Sequence, residues 1–178
     1  MALTDKLTAI ADAIRSKTGG TDSLTLDQMA GEIDNIQSGG ATEPYIEEVY
    51  NSYGALINVN MHGYTKIRRC AFYDCTLLAL TSLPSDITSI GDYAFNGCSH
   101  LALTSLPSGI TNIGKNAFNN CTGLTSITFE GTPTSINSSS FSNCSNLTTI
   151  NVPWSEGAVS GAPWGATNAT INYNYTGE

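Results

Sequence analysis

A single twelve-residue line, written four times at a fixed interval, constrains this chain more than any other feature. It reads IRRCAFYDCTLL over 67–78, IGDYAFNGCSHL over 90–101, IGKNAFNNCTGL over 113–124 and INSSSFSNCSNL over 136–147. Phe72, Phe95, Phe118 and Phe141 fall 23 residues apart, as do Cys75, Cys98, Cys121 and Cys144. A constant period in the twenties is the signature of a solenoid, in which one coil cannot bury its apolar face until a neighbour stacks on it. The phenylalanines and cysteines are therefore expected to form structural ladders along the stack. Coils joined as parallel strands lie about 4.8 Å apart, so four of them make a slab roughly 20 Å thick.

Each coil is expected to hold two short strands. One lies in Leu101–Pro107 and Leu124–Phe129; the other leads into the recurring isoleucine, as in Ile87–Ile90 and Ile110–Ile113. Pro84, Pro107 and Pro133 fall at turns, where a missing backbone donor is tolerated. Upstream, Ala55–Met61 alternates apolar and polar residues and reads as a degenerate first coil, entered through Pro44.

Residues 1–38 have a different period. Leu3, Leu7, Ile10 and Ile14 make one helical stripe, and Leu26, Met29, Ile33 and Ile36 make another, separated by Thr18–Asp22. Thr25 and Gln28 form a capping box for the second helix. So short a helical hairpin does not build its own core. Leu7, Ile10, Ile14, Met29, Ile33 and Ile36 are thus candidates for self-association, or for a cap. The predicted organisation is a helical hairpin over 1–38, a linker over 39–45, a solenoid over 46–152 and a C-terminal cap over 153–178.

The line I-G-x-x-A-F-x-x-C-x-x-L resembles the BspA-like class of leucine-rich repeats across about residues 67–152. The resemblance implies an α+β, β-rich leucine-rich-repeat solenoid of about four coils plus caps, with the N-terminal α-helical hairpin added. The last coil departs from the pattern, with Asn137 in place of Gly and Ser140 in place of Ala, so a looser corner is expected there. The segment LTDKLTAIADAIRSKTGGTDSLTLDQMAGEI is similar to the helical segment that opens many tail-associated proteins of phages and prophages of Gram-positive bacteria. The ending VPWSEGAVSGAPWGATNATINYNY is similar to C-termini from the same setting.

A net charge of −8 argues against nucleic acid and anionic lipid as partners. No apolar run reaches the roughly 20 residues of a membrane span, so no membrane insertion is expected. The start carries acidic residues and no continuous apolar stretch before a small-residue cleavage site. The expectation is synthesis in the bacterial cytoplasm without a signal peptide. The virion is the predicted destination, and the cell surface the alternative.

Catalysis has little foundation. There is no phosphate loop, nucleophile elbow or HExxH, and His62 and His100 lack the spacing of a metal site, so no cofactor is expected. The cysteines read as inward-facing small hydrophobes, with Cys70 outside the ladder; rung spacing alone leaves bridges between neighbours open. Trp154, Trp164, Tyr173 and Tyr175 either plug the end of the stack or form a binding patch. These readings converge on a non-enzymatic binding or structural protein. Its expected partner is a protein or a cell-surface glycan, and the chain could also bind itself through residues 1–38. A phage or prophage tail protein is the leading reading. A BspA-like surface adhesin and a cytosolic protein-binding factor are the alternatives.

Overall fold

The computed structural model describes residues 44–177. The chain divides between Pro44 and Tyr45 into two compact units, and the second is the one described. The expected helical hairpin over 1–38, with Leu7, Ile10, Ile14, Met29, Ile33 and Ile36, lies outside the described residues.

The second unit opens on an antiparallel hairpin, β1 (Tyr45–Tyr50) and β2 (Leu56–His62), paired from Tyr45↔His62 to Tyr50↔Leu56. This corrects one expectation and qualifies another: strand begins inside the predicted linker, and Ala55–Met61 meets the first coil through Ala79 N–H to Ile57 O but folds back as a hairpin strand in place of a full coil. The reason lies in the turn. Asn51 Oδ1 accepts the amides of Tyr53 and Ala55, both at 3.0 Å, and Gly54 supplies φ +76°. So short a link permits only an antiparallel return, whereas a parallel neighbour needs a crossover of a dozen residues or more. Val59 and Met61 turn inward onto the end of the stack, while Asn58, Asn60 and His62 stay exposed.

Beyond the hairpin the chain winds as a β-solenoid. One face is a parallel sheet of two-residue strands: β3 (Lys66–Ile67), β4 (Ser89–Ile90), β6 (Asn112–Ile113) and β8 (Ser135–Ile136). Ile67, Ile90, Ile113 and Ile136 stand in register and are buried. The other face is the parallel sheet of β5 (Ser105–Leu106), β7 (Ser126–Phe129), β9 (Thr149–Asn151) and β10 (Thr170–Asn172), in that spatial order. Thr170 pairs with Thr149, so residues after 158 add a fifth turn of 21 residues to the expected four. Among the described residues there is no helix.

The corner between the sheets holds the ladders. The rings of Phe72, Phe95, Phe118 and Phe141 stack with centroids 5.2, 5.5 and 5.1 Å apart and planes within 16°. Each corner is a run of i→i+3 hydrogen bonds, such as Ala94 N–H to Gly91 O and Cys98 N–H to Phe95 O. It does not continue as a helix because left-handed residues interrupt it, twice in each of the first three coils and once in the fourth. Cys70, Tyr93 and Asn116 take one such position; Asp74, Gly97, Asn120 and Asn143 take the other. Phe N–H groups instead reach the next coil: Phe72 to Ala94 O, Phe95 to Ala117 O and Phe118 to Ser140 O, each at 2.8 Å.

The repeated glycine is set by close approach. A Cβ on Gly114 would lie 2.6 Å from Asp92 N, and one on Gly91 2.6 Å from Arg69 N. Where Asn137 replaces that glycine, Ser139 leaves the left-handed region and its amide donates to Asn137 Oδ1 at 3.1 Å. Ser140, in the alanine position, is buried and donates to Gly114 O at 3.0 Å. The corner expected to be looser is retied by side chains.

Candidate recognition face

The outer face of the β5–β7–β9–β10 sheet is built by alternation. Leu106, Ile127, Phe129 and Ile150 turn into the core, which leaves Ser105, Thr128, Asn151 and Asn172 as one outward column. Ser126, Thr149 and Thr170 form a second column beside it. Successive rungs are tied to each other. Asn151 Nδ2 donates to Thr128 Oγ1 at 3.1 Å, Asn172 Nδ2 donates to Asn151 Oδ1 at 2.8 Å, and Ser105 Oγ donates to Glu130 Oε1 at 2.7 Å. These cross-links fix rotamers that would otherwise have to be ordered on binding. The face is also close to neutral: from residue 116 to 177 the only charged side chains are Glu130 and Glu156. Sequence reading missed this array because it sought recurring identities. The recurring property here is polarity beside a buried isoleucine, filled by Ser, Thr or Asn in turn.

The cysteine ladder is chemically quiet. Cys98, Cys121 and Cys144 are buried, and each thiol donates to the carbonyl of the preceding coil's phenylalanine at 3.0 Å: Phe72, Phe95 and Phe118. Each of these carbonyls also accepts the amide of its own coil's cysteine, so both lone pairs are used. Burial pushes the Cys98 and Cys144 thiols up to about 12 and raises Cys121 as well, so the nucleophilic thiolate is suppressed. Cys75 has no preceding coil and is half-exposed, a departure from the inward ladder expected of all four. All five cysteines, the exposed Cys70 included, are free thiols.

The aromatic candidates close the stack. Trp164 is fully buried and Trp154 is 6% exposed; they meet edge-on at 6.2 Å and surround Phe129. Trp164 Nε1 donates to Ser160 O at 2.8 Å, and its carbonyl accepts Phe141 N–H at 2.9 Å, the role Ser140 plays one coil earlier. Tyr173 packs against the core and Tyr175 is half-buried. The tryptophan rings therefore present no stacking surface to a ligand, and the binding-patch alternative is set aside for them.

Other polar groups do not converge. His100 Nδ1 sits 2.6 Å from Thr76 O on an exposed turn, and His62 Nε2 lies 3.4 Å from Glu47 Oε2 on the hairpin. Among the described residues no three His, Cys, Asp or Glu side chains gather as metal ligands, and no helix is long and apolar enough to cross a membrane.

The signature of the BspA-type leucine-rich repeat region matches residues 47–160 in 6 copies, well over half of the chain. The chain belongs to the BspA-type leucine-rich-repeat family. Two solved leucine-rich-repeat structures are similar to it. One, from T. pallidum, has 20% sequence identity and a TM-score of 0.42, over 74% of this chain and 80% of that one. The other, from Bacteroides ovatus, has 19% identity and a TM-score of 0.35, over 60% of this chain and 45% of that one. No curated protein matches the sequence. Leucine-rich-repeat solenoids are typically interaction scaffolds without catalysis, and no catalytic family is indicated for this chain.

Proposed function

We propose that this protein is a non-enzymatic recognition module that binds a protein or an uncharged glycan on a bacterial surface through the outer face of the β5–β7–β9–β10 sheet. The observation that carries this reading is the two-column array of seven hydroxyl and amide side chains, held in register by the sheet, with Thr128, Asn151 and Asn172 of one column tied side chain to side chain. A rigid, nearly neutral polar face loses little entropy on binding and gains directional hydrogen bonds. It offers nothing to a polyanion.

The finer role is attachment to a phage or prophage tail, supported by the resemblance of the opening and closing segments to tail-associated proteins. In that role residues 1–38 join the module to its carrier or to a second copy, and the sheet meets the host. The family match favours a second reading, a BspA-like cell-surface adhesin with the same face.

The test is adsorption of the labelled full chain to intact Gram-positive cells. Ser126→Arg with Thr170→Arg alters the exposed column and leaves the side-chain cross-links in place. Adsorption should fall at least tenfold with an unchanged melting curve. Undiminished adsorption would remove this face from the reading. Immunogold labelling of particles from an induced culture, set against the producing cells, separates tail from adhesin.

A further inference from the structure

Leu78–Ser85 and Leu101–Ser108 are the same eight residues, LALTSLPS. In the second copy Ser105–Leu106 forms β5, with β7 laid against it. In the first copy no residue is in a strand, although the local propensity is identical. The difference is in the neighbours: β5 ladders onto β7 in the following coil, whereas the first copy forms no strand ladder with either the second copy or β2. β2 holds the first copy through one bond, Ala79 N–H to Ile57 O at 2.9 Å, and then parts from it. It parts because it is bound into an antiparallel hairpin, whereas a stacked coil would run alongside. Val59 N–H turns to Asn58 Oδ1 at 2.9 Å. Among the described residues, the amides of Thr81, Ser82 and Leu83 have no hydrogen-bond partner.

The gap is a cleft of about 340 Å³ between Asn58–His62 and Ala79–Pro84. Ligand-binding clefts occupy about 300–1,000 Å³. Val59, Met61, Leu80 and Leu83 give it an apolar base, each less than 9% exposed. Asn58, Asn60, Thr81 and Ser82 rim it, and no Asp, Glu, Lys or Arg lines it.

We propose that this cleft binds an extended, uncharged peptide, which adds to Thr81–Leu83 as the strand that β2 does not supply. Because successive residues of an extended chain face opposite edges, such a peptide exchanges main-chain bonds with Ser82, whose N–H and carbonyl have no backbone partner, while its small polar side chains match the rim and an apolar side chain fills the base. The one titratable side chain of the lining, His62, already faces Glu47 at 3.4 Å, so an ionised ligand would be desolvated there without a dedicated countercharge. This site is distinct from the outer face of the β5–β7–β9–β10 sheet, and it stands or falls independently of that face.

The probe is the capped peptide acetyl-Leu-Thr-Ser-Leu-amide, the sequence that already lies beside its own copy in the second coil. Titrated into isotope-labelled full chain, it should give saturable amide shifts centred on Thr81, Ser82 and Leu83 at millimolar concentration or below. Methylating the peptide's serine amide should weaken binding roughly five- to tenfold, the loss of about one net main-chain hydrogen bond. Asn58→Trp, which fills the mouth from an exposed position, should abolish the shifts. The proposal is overturned by no shifts at these amides, by equal affinity for the methylated peptide, or by unchanged shifts in a folded Asn58→Trp protein. The methylated peptide decides the matter in the wild-type chain even where the tryptophan variant does not fold.

Discussion

Truncating one ring in the middle of the phenylalanine column should hurt more than truncating the ring at its end. Phe118 is 1% exposed and has a stacked neighbour on each side, at 5.5 and 5.1 Å; Phe72 is 4% exposed and has one, at 5.2 Å. Removing a buried phenylalanine to alanine costs about 3–5 kcal/mol in transfer and cavity terms. Each aromatic pair adds about 0.5–1.5 kcal/mol beyond its area. Phe118→Ala should therefore lose about 5 kcal/mol, and Phe72→Ala about 1 kcal/mol less. With a urea slope of about 2 kcal/mol/M, the midpoints should fall by about 2.5 M and about 2 M. Because a solenoid couples only neighbouring coils, Phe118→Ala should also separate hydrogen exchange of the β3 and β4 amides from that of β9 and β10. The measurement is urea unfolding followed by circular dichroism, with native-state exchange. Equal losses for the two variants, or a larger one for Phe72→Ala, would refute the column as a nearest-neighbour stack.

Four further outcomes follow from the same geometry. A thiol reagent at pH 8 should label Cys70 and, more slowly, Cys75 in the native protein, with Cys98, Cys121 and Cys144 reacting only on unfolding. The folded thiols are raised from an ordinary value of 9.0, so their contribution is complete below about pH 9 and is lost as pH climbs towards 12. The Cys98→Ala variant should show a shallower alkaline decline than wild type in pH-dependent urea unfolding. Gly114→Ala puts a Cβ 2.6 Å from Asp92 N and should cost about 1–3 kcal/mol through overpacking. Gly157→Ala meets no atom within 4 Å and should cost only the left-handed penalty of about 1–2 kcal/mol, read from paired thermal melts. Trp154 Nε1 is buried without a hydrogen-bond partner, whereas Trp164 Nε1 is satisfied, so Trp154→Phe should be near neutral and Trp164→Phe clearly destabilising in the same melts.

The parts of this fold that could be read from sequence are those where one coil must match the next. Phe95, Cys98 and Leu101 recur because each sits on its own equivalent, and a change of size at one rung is felt at two others. Asn137 and Ser140 show the limit of that reasoning: the substitution was visible, but its repair through Asn137 Oδ1 and Gly114 O depends on rotamers that spacing does not specify. The hairpin was misread for a different reason. Alternation over Ala55–Met61 is common to a strand in a coil and a strand in a hairpin, and the deciding feature was the short return at Asn51–Gly54. The fifth turn was hidden because it keeps the strand register of β9 while dropping two residues and every Phe and Cys of the motif.

The same division explains why architecture was legible and recognition was not. The interior selects identities, since a buried ring or thiol has one shape that fits. The outward columns select only a property. Thr128 can be followed by Asn151 and then Asn172 because any side chain with a donor and an acceptor continues the cross-link. A surface built this way can change its outward side chains without disturbing a single buried contact. The cleft beside β2 follows a complementary rule. There the interior pattern itself stops, and the eight residues that pair as β5 in one coil are left with unpaired amides in the coil before it. The two surfaces proposed for recognition thus lie where the repeat is indifferent to identity, on the sheet face, and where it loses its neighbour, at the hairpin end.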